Sequence, residues 1–457
     1  MTERRFTFDD GTLEVLRAAL DRLEAGFDSL PEAPAPDDPG MPRVLAEVAE
    51  RLRDNDPYFH PLYAGQMLKP PHPVARLAYA LALWINPNNH ALDGGRASSQ
   101  MEKEAVAEIA RMFGWDVYLG HLCGGGTMAN LEALWIAGLL QPTGIVLASE
   151  QAHYTHERLS AVLKLPFEKV PCDDLGRMDA GALAERLARG GVGTVVATVG
   201  TTGTGAVDPL PDILSLRERY GFHLHADAAY GGYFTLAANL GDSARRAFDR
   251  LGEADSIVVD PHKHGLQPYG CGCILFRDPS VGRFYKHDSP YTYFSSAELH
   301  LGEISLECSR PGASAVALWA TQRLLPLERG GAFARGLEAG REAALALHAR
   351  LRADGRFAAA FEPELDIVVW GLRAADAREA SARARRVFEE AARLDLHLAL
   401  AELPPRFFGP RAGSRDVGAT ITVLRSVLMK PEHREWLDEI WQRLDEAADS
   451  SLRGPLS

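Results

Sequence analysis

The feature that most limits the fold of this chain is an alternation of short apolar runs with helical patterns between about residues 101 and 275. Each run is rich in β-branched residues, and segments with apolar residues at helical spacing separate the runs. Such alternation is typical of a mostly parallel β-sheet covered by helices, in which functional groups collect at the carboxyl ends of the strands. We therefore predict an α/β fold. The runs are TGIVLASE, GTVVATVG, FHLHADAA, SIVVD and GCILFRD.

The rest of the chain is organised around this core. Residues 1–75 combine amphipathic patterns with a loop rich in Pro and Gly, which predicts an N-terminal helical arm. Residues 76–325 are expected to form the large domain, and residues 326–457 a small C-terminal α/β domain. A chain of 457 residues is long enough for a large core with smaller additions.

Helical patterns outside the core have approximate bounds. Residues 11–29, 42–54 and 431–448 are predicted to form amphipathic helices, and a further helix is expected around 377–393. A further helix is expected from about Ser314 to Leu325, with Ser314 as its N-cap.

Composition excludes several classes of partner. The net charge of −13 argues against nucleic acid, because phosphate contacts require clustered Lys and Arg. No apolar run is long enough to span a membrane, and the N-terminus lacks the apolar segment of a secretory signal. The five cysteines do not have the paired CxxC spacing of a zinc site. We therefore expect a cytoplasmic protein with no metal, whose partner is a small molecule.

One lysine has the position of a covalent nucleophile. Lys263 follows the apolar run SIVVD and precedes a turn rich in Gly and Pro. At the carboxyl end of a buried strand its amine would be partly desolvated, which lowers the pKa and frees the lone pair that forms an imine. Taken alone, the same pattern also fits a surface charge.

Two further segments complete a candidate site. Asp227 lies among small residues after the run FHLHADAA, where it could face a flat ligand or act as a helix N-cap. The glycines at 124–126, followed by Thr127, precede a helical pattern. Backbone amides at such a helix start bind anions, and a phosphate is the obvious guest. Glycine-rich turns before helices are nevertheless common, and this spacing is neither the nucleotide P-loop nor the dinucleotide fingerprint.

The order of these motifs resembles that of a known family. GGT-x-AN, SEQAHYT, ATVGTTGTGAVDPL, HADAAYGG and DPHKHG follow one another as they do in the group II pyridoxal-phosphate-dependent amino-acid decarboxylases. That family includes the aromatic amino-acid, glutamate, tyrosine and diaminobutyrate decarboxylases. The resemblance covers roughly residues 60 to 325 and implies the fold type I of pyridoxal-phosphate-dependent transferases.

The resemblance also implies how the cofactor would be held. Lys263 would carry pyridoxal 5'-phosphate as a Schiff base, and His262 would help to hold its phosphate. Asp227 would pair with the pyridinium nitrogen, and Ala229 would lie against the ring. His153 matches the histidine that stacks on the cofactor, which gives it a catalytic as well as a binding role.

The remaining cofactor contacts are likewise implied by the resemblance. Gly126 and Thr127 would contact the phosphate at the helix start, and Thr202 would lie near the ring hydroxyl and the substrate carboxylate. The sequence departs from the family pattern at Asp260, where asparagine is frequent. It also departs at 123–124, where Cys-Gly replaces Thr-Ser before the GGT motif.

Two roles stay open at this point. Many relatives have a tyrosine on a loop after the lysine that donates a proton to Cα, and Tyr285, Tyr291 and Tyr293 compete for this role here. We predict Tyr285, although a tyrosine of the core or of an interface is an alternative. Arg310 could hold an anion or form a structural ion pair.

The function that the resemblance implies is decarboxylation of an L-amino acid to the amine and carbon dioxide, with an aromatic or acidic side chain favoured. A related carbon–carbon lyase or aldehyde synthase is the alternative within enzymes. A non-catalytic protein that binds pyridoxal phosphate is the alternative of another class. The resemblance further implies a homodimer with its active sites at the interface.

Overall fold

The computed structural model describes residues 10–31, 38–286, 299–408 and 420–453. Two β-sheets organise these residues, one of seven strands and one of four. The large sheet uses strands between Leu119 and Phe276, and the small sheet uses strands between Phe357 and Val427. Within the described ranges, no helix has both the length and the apolar character needed to cross a bilayer.

The strands are numbered in chain order. Those of the large sheet are buried along nearly their whole length except for the edge strand at 167–170, as expected for a sheet covered on both faces. They are β1 (Leu119–Cys123), β2 (Ile145–Ser149), β3 (Phe167–Val170), β4 (Val192–Thr198), β5 (His223–Asp227), β6 (Ser256–Val259) and β7 (Gly272–Phe276). Those of the small sheet are β8 (Phe357–Ala359), β9 (Ile367–Leu372), β10 (Ala399–Leu403) and β11 (Ile421–Val427).

Helices surround both sheets. The α-helices that precede β6 are α1 (Asp10–Glu24), α2 (Met41–Leu52), α3 (Pro73–Ile85), α4 (Leu92–Met112), α5 (Gly126–Leu140), α6 (Thr155–Leu163), α7 (Ala180–Leu187), α8 (Leu210–Tyr220) and α9 (Asp242–Asp249). Those that follow β7 are α10 (Gly312–Leu324), α11 (Ala332–Ala353), α12 (Ala377–Arg393) and α13 (Leu437–Arg453). Short 3-10 helices lie at Ala25–Phe27, Gly232–Leu236, Leu251–Glu253, Pro279–Phe284, Leu301–Glu303, Pro405–Phe408 and Pro431–Arg434.

The topology of the large sheet determines where the loops meet. Its strand order is β1-β7-β6-β5-β4-β2-β3, and the strands from β6 through β5, β4 and β2 to β3 are parallel. Among the described strands of this sheet, β7 alone runs in the opposite direction to the others, and it pairs antiparallel with β1 and β6. The loops that follow β2, β4, β5 and β6 therefore lie at one edge of the sheet, where Lys263 follows β6. The prediction of a mostly parallel α/β sheet is confirmed.

Some predicted helix bounds need correction. The helix predicted for 377–393 is found at those residues, but the one predicted for 431–448 begins only at Leu437, because a 3-10 turn occupies its start. Ser314 is not an N-cap. Its helix begins earlier, at Gly312, and Pro311 is the N-cap residue. Proline has a fixed φ that suits a helix start, which the apolar pattern alone did not indicate.

Candidate active site

A cavity of about 550 Å³ opens at the carboxyl edge of the large sheet. Loops after β1, β2, β4, β5 and β6 contribute to its wall, so residues far apart in sequence meet there. The structure brings all eight predicted cofactor residues to this cavity. They are Gly126, Thr127, His153, Thr202, Asp227, Ala229, His262 and Lys263.

The glycine-rich loop can approach a ligand closely because it has no side chains in the way. Gly125 has a φ of 142°, which side chains rarely tolerate. A Cβ on Gly126 would lie 2.7 Å from Asp260 Oδ2, and one on Gly272 would lie 2.5 Å from the Cα of Gly125. Helix α5 begins at this loop, and the first N–H groups of a helix have no partner within it. This helix start fits the phosphate of pyridoxal phosphate.

Asp227 ends β5 with a buried, ionised carboxylate. Its Oδ2 accepts a hydrogen bond from His156 Nε2 at 2.8 Å, and its Oδ1 accepts one from the backbone N–H of Ala229 at 3.2 Å. Burial would raise its pKa, but the hydrogen bond from His156 and the positive charge of Lys263 hold the pKa below its usual range. An ionised carboxylate fits a protonated ring nitrogen. The N-cap alternative is wrong, because the next helix has Gly231 as its N-cap.

His156 was missed at the sequence level. It lies on α6, three residues after His153, and is fully buried beneath the cavity. Its ring packs 6.3 Å from that of His225, whose Nε2 donates to Asn130 Oδ1 at 2.8 Å. Burial lowers the pKa of His225 to about 3, so this histidine is neutral. The only signal in the sequence was the spacing of the two histidines in HYTH.

Lys263 lies beside a second buried carboxylate. Its Nζ is 3.0 Å from Asp260 Oδ2, and the lysine side chain is 20% exposed, so the amine can reach the cavity. His262 donates from Nδ1 to the backbone oxygen of Cys271 at 2.8 Å, which directs its Nε2 towards Asp260, 3.6 Å away. Burial is the largest effect on His262 and lowers its pKa. Asp260 Oδ1 has no hydrogen-bond partner within the described residues.

His153 and Thr202 are held by contacts that orient them. The hydroxyl of Thr155 is 2.8 Å from His153 Nδ1, and its backbone N–H donates to the same atom at 3.3 Å. Burial lowers the pKa of His153, which favours the neutral ring. The backbone oxygen of Thr202 accepts from Arg425 Nη1 at 2.8 Å. This arginine, which lies on β11, ties the small sheet to the cavity wall.

The structure does not bring Tyr285 to the cavity. The tyrosine is buried in an apolar cluster, its hydroxyl donates to Glu132 Oε2 at 2.9 Å, and its ring lies 5.0 Å from that of Trp135. Burial, followed by the charge of Glu132, raises the pKa of its hydroxyl far above the usual value. Tyr291 and Tyr293 lie outside the described residues.

Arg310 forms a buried ion pair. Its Nη1 lies 2.7 Å from Glu102 Oε1 and donates to the backbone oxygen of Leu122 at 2.5 Å. Glu102 also accepts from the side chain of Asn89 at 2.6 Å. Of the two roles left open for Arg310, the structural ion pair is therefore the one that the geometry supports.

Comparison with protein families and curated proteins agrees with this geometry. The profile of the pyridoxal-dependent decarboxylase conserved domain matches residues 139–373. An L-tyrosine decarboxylase of Enterococcus faecium is 29% identical over 63% of this chain and 64% of its own length. An L-aspartate decarboxylase of Thermococcus kodakarensis is 30% identical over 61% of this chain and 71% of its own length. The chain thus spans a little less than two thirds of the tyrosine decarboxylase.

Solved structures agree in fold over nearly the whole chain. A crystal structure of Oryza sativa TDC with PLP and tryptamine has a TM-score of 0.77 at 18% identity, covering 97% of this chain and 98% of the other. A crystal structure of mouse CSAD in apo form has a TM-score of 0.76 at 19% identity, covering 96% and 99%. The likeness confirms the predicted fold type I.

Proposed function

Because the chain belongs to the pyridoxal-dependent decarboxylase family, we propose that it decarboxylates an L-amino acid to the amine and carbon dioxide. Pyridoxal phosphate is the cofactor that this family requires. The observation that carries the proposal is the convergence of the eight cofactor positions on one cavity, with Lys263 and the ionised Asp227 at the ends of neighbouring strands.

Each of these residues has a task that its position suits. The cofactor, when bound, draws electrons from the bond that breaks. Lys263 supplies the amine that attaches it, and Asp227 keeps a proton on the ring nitrogen. Neutral His153 offers a flat ring to one face of the ligand. The start of α5, with Thr127, binds the phosphate.

An aromatic substrate is favoured over an acidic one. The described cavity lining includes Met128, Leu131 and Tyr269, and it contains no arginine. An acidic side chain would need a cation beyond Lys263, which is committed to the cofactor. Both tyrosine and aspartate decarboxylases are among the similar proteins, so both substrate classes belong in the test.

The quaternary structure and location are part of the proposal. Helix α2 contains no buried residue, and large apolar side chains are exposed along it, which supports a homodimer. That its active sites lie at the interface rests on the family resemblance. The five cysteines are all free thiols, which is consistent with a cytoplasmic protein.

The test is product analysis with protein loaded with pyridoxal phosphate. Tyrosine, other aromatic amino acids, aspartate and glutamate are supplied, and carbon dioxide, amine, aldehyde and ammonia are measured together. We expect equal amounts of carbon dioxide and amine, with the fastest turnover on an aromatic amino acid. Aldehyde without amine would move the assignment to the aldehyde synthase or lyase alternative. No change in cofactor absorbance with any amino acid would favour the non-catalytic alternative.

Lys263→Ala should reduce turnover below detection and remove the absorbance of covalently attached cofactor, because its role is covalent. A matched control is Lys169→Ala, since Lys169 is 54% exposed and pairs with Glu157 on the surface. Both variants should retain the secondary structure of the wild-type apoprotein, and only Lys263→Ala should lower Tm, because it leaves the buried Asp260 without its partner. Multiple turnover by Lys263→Ala would refute the assignment.

A further inference from the structure

A second cavity, of about 270 Å³, lies behind the loop that carries Lys263. We call it the lysine cavity. Its wall combines the Pro-rich segment before α3 with residues near the end of β11, which are far apart in sequence. The polar side chains that line it are Lys69, His72, Arg76, His264, Lys430 and Glu432.

Two ammonium groups in the lysine cavity lack a carboxylate partner. Lys69 Nζ donates to the backbone oxygen of Met429 at 3.4 Å, and Lys430 Nζ donates to that of Tyr63 at 2.6 Å. Within the described part of the chain, neither lysine forms an ion pair, and Lys430 Nζ also lies 5.2 Å from the ring centre of Tyr63. An ammonium has three N–H donors, so one carbonyl leaves each lysine incompletely bonded.

Keeping these two lysines charged inside the protein therefore lowers the free energy of unfolding. Lys430 is 2% exposed, and burial together with the charge of Lys69 lowers its pKa to about 7. Burial lowers the pKa of Lys69 to about 8, although Asp366 and Glu432 oppose the shift. A buried charge needs a partner of opposite sign, and a bound anion would supply one.

His264 is a third unsatisfied group at the same cavity. Its ring is 1% exposed, and within the described residues neither ring nitrogen has a hydrogen-bond partner. Nε2 lies 3.3 Å from Asp366 Oδ2, and the hydroxyl of Tyr230 donates to the other oxygen of that carboxyl, Oδ1, at 2.6 Å. Nδ1 is therefore the ring nitrogen left for an anion, and a neutral imidazole can carry its one N–H there.

The arrangement of charge favours an anion inside the cavity. Lys430 and His264 are buried, whereas Glu432, the only carboxylate among the described lining residues, is exposed. Its charge can remain in water while the cations face the interior. The volume is below the range of about 300–1,000 Å³ that is typical for drug-sized ligands, so the ligand must be small.

We propose that the lysine cavity binds a small oxyanion, the carboxylate or phosphate group of a metabolite, between Lys69, Lys430 and His264. The binding does not depend on the proposed decarboxylase activity. Its effect on the active site does rest on that function, since His264 follows Lys263 and Asp366 bonds to Tyr230, which lines the active-site cavity. An anion bound in the lysine cavity would therefore shift Lys263 and Tyr230, which both line the active-site cavity.

The test uses protein saturated with pyridoxal phosphate, so that the phosphate site of the active-site cavity is already filled. Inorganic phosphate and malonate are titrated by calorimetry at constant ionic strength, with chloride as the reference salt. We expect saturable binding of at least one of them. Stronger phosphate binding would identify a phosphorylated ligand, and stronger malonate binding a carboxylate.

Lys69→Met should weaken this binding about tenfold or more, because it removes one charged hydrogen-bond donor. Lys69→Arg should retain part of the affinity, and the surface variant Lys169→Met should bind as the wild type does. Equal binding by Lys69→Met and the wild type would overturn the proposal, as would a response that follows ionic strength alone. Binding that Lys69→Met weakens, even if the protein decarboxylates no amino acid, would separate this result from any failure of the decarboxylase assignment.

An independent readout is thermal stability without added anion. The folded-state pKa of Lys69, about 8, is below the value of about 10.4 for a free lysine, so its charge lowers stability most below pH 8. Lys69→Met should therefore raise Tm at pH 7, and the gain should shrink as the pH rises towards 10. If Lys69→Met instead lowered Tm by the same amount at pH 7 and at pH 10, Lys69 would not carry an unpaired charge in the folded protein. The groups that face Lys69 are Asp366, Glu432, Lys430, His264, His72 and Arg76.

Discussion

At the scale of single residues, the electrostatic state of Asp227 depends on His156. Burial is the largest effect on this carboxyl and raises its pKa, and the hydrogen bond from His156 at 2.8 Å is the largest effect that opposes it. A protonated Asp227 could not hold a proton on the ring nitrogen of the cofactor. We therefore regard His156 as a positioning residue that acts through Asp227.

His156→Leu should weaken the binding of pyridoxal phosphate about tenfold or more, because a hydrogen bond to a charged group contributes about 1.5–3 kcal/mol. The absorbance of the bound cofactor should shift, and kcat should fall more than KM rises. His156→Gln, which can still donate to Asp227, should recover part of the loss. Cofactor affinity is measured by titration of the apoprotein.

The matched control for this prediction is His121→Leu. His121 is also fully buried and its Nε2 lies 2.9 Å from a carboxylate, that of Glu132, but it does not line the active-site cavity. The variant His121→Leu should lower Tm without changing the absorbance of bound cofactor. If both variants changed cofactor binding equally, the effect would be one of general destabilisation and His156 would have no special role.

Sequence reasoning found residues whose position is fixed locally, and it missed those fixed by tertiary contacts. Asp227 is the last residue of β5, and Lys263 lies in the loop just after β6. The strand pattern alone therefore indicated where they lie. His156 contacts Asp227 across a separation of 71 residues, which no local pattern reveals. Tyr285 is bonded to Glu132 across 153 residues, so its distance from the cavity could not be read from the loop sequence.

At the scale of elements, the cofactor site requires close contact between β7 and the glycine-rich loop. A Cβ on Gly272 would lie 2.5 Å from the backbone of Gly125, so Gly272→Ala must displace that loop. Overpacking of this kind costs about 1–3 kcal/mol. We expect a lower Tm and weaker binding of pyridoxal phosphate, measured by thermal unfolding of the apoprotein and by cofactor titration.

Gly371→Ala is the control, since Gly371 also lies in a strand but a Cβ there would have no atom within 4 Å. It should leave cofactor affinity unchanged. Wild-type affinity in Gly272→Ala would mean that the loop tolerates displacement and that the close contact has no part in binding.

The elements themselves were predicted well where burial is continuous. The strands β6 and β7 are apolar and buried throughout, so the runs SIVV and GCILF marked them directly. Helix ends were less accurate, because proline suits the first position of a 3-10 turn such as Pro431–Arg434 as well as that of an α-helix. The domain boundaries near residues 75 and 325 stay a prediction.

At the scale of the whole molecule, the exposed apolar side chains of α2 are unusual for a monomeric protein. Its exposed apolar side chains recur three, four, seven and eleven residues apart from Met41, which aligns them along one side of the helix. Exposed apolar stripes of this kind are costly unless another surface covers them. The residues are Met41, Val44, Leu45, Val48 and Leu52.

We therefore expect light scattering to give twice the chain mass of 49.8 kDa for the wild type. The double variant Leu45→Glu and Val48→Glu should be monomeric, because two carboxylates cannot be buried in an apolar interface without partners. Ala46→Glu places one carboxylate on α2 away from the apolar stripe and should remain dimeric. If the active sites lie at the interface, the monomeric variant should lose turnover while keeping its secondary structure. A monomeric wild type with full activity would contradict both the dimer and the shared site, and the apolar stripe of α2 would then need another partner.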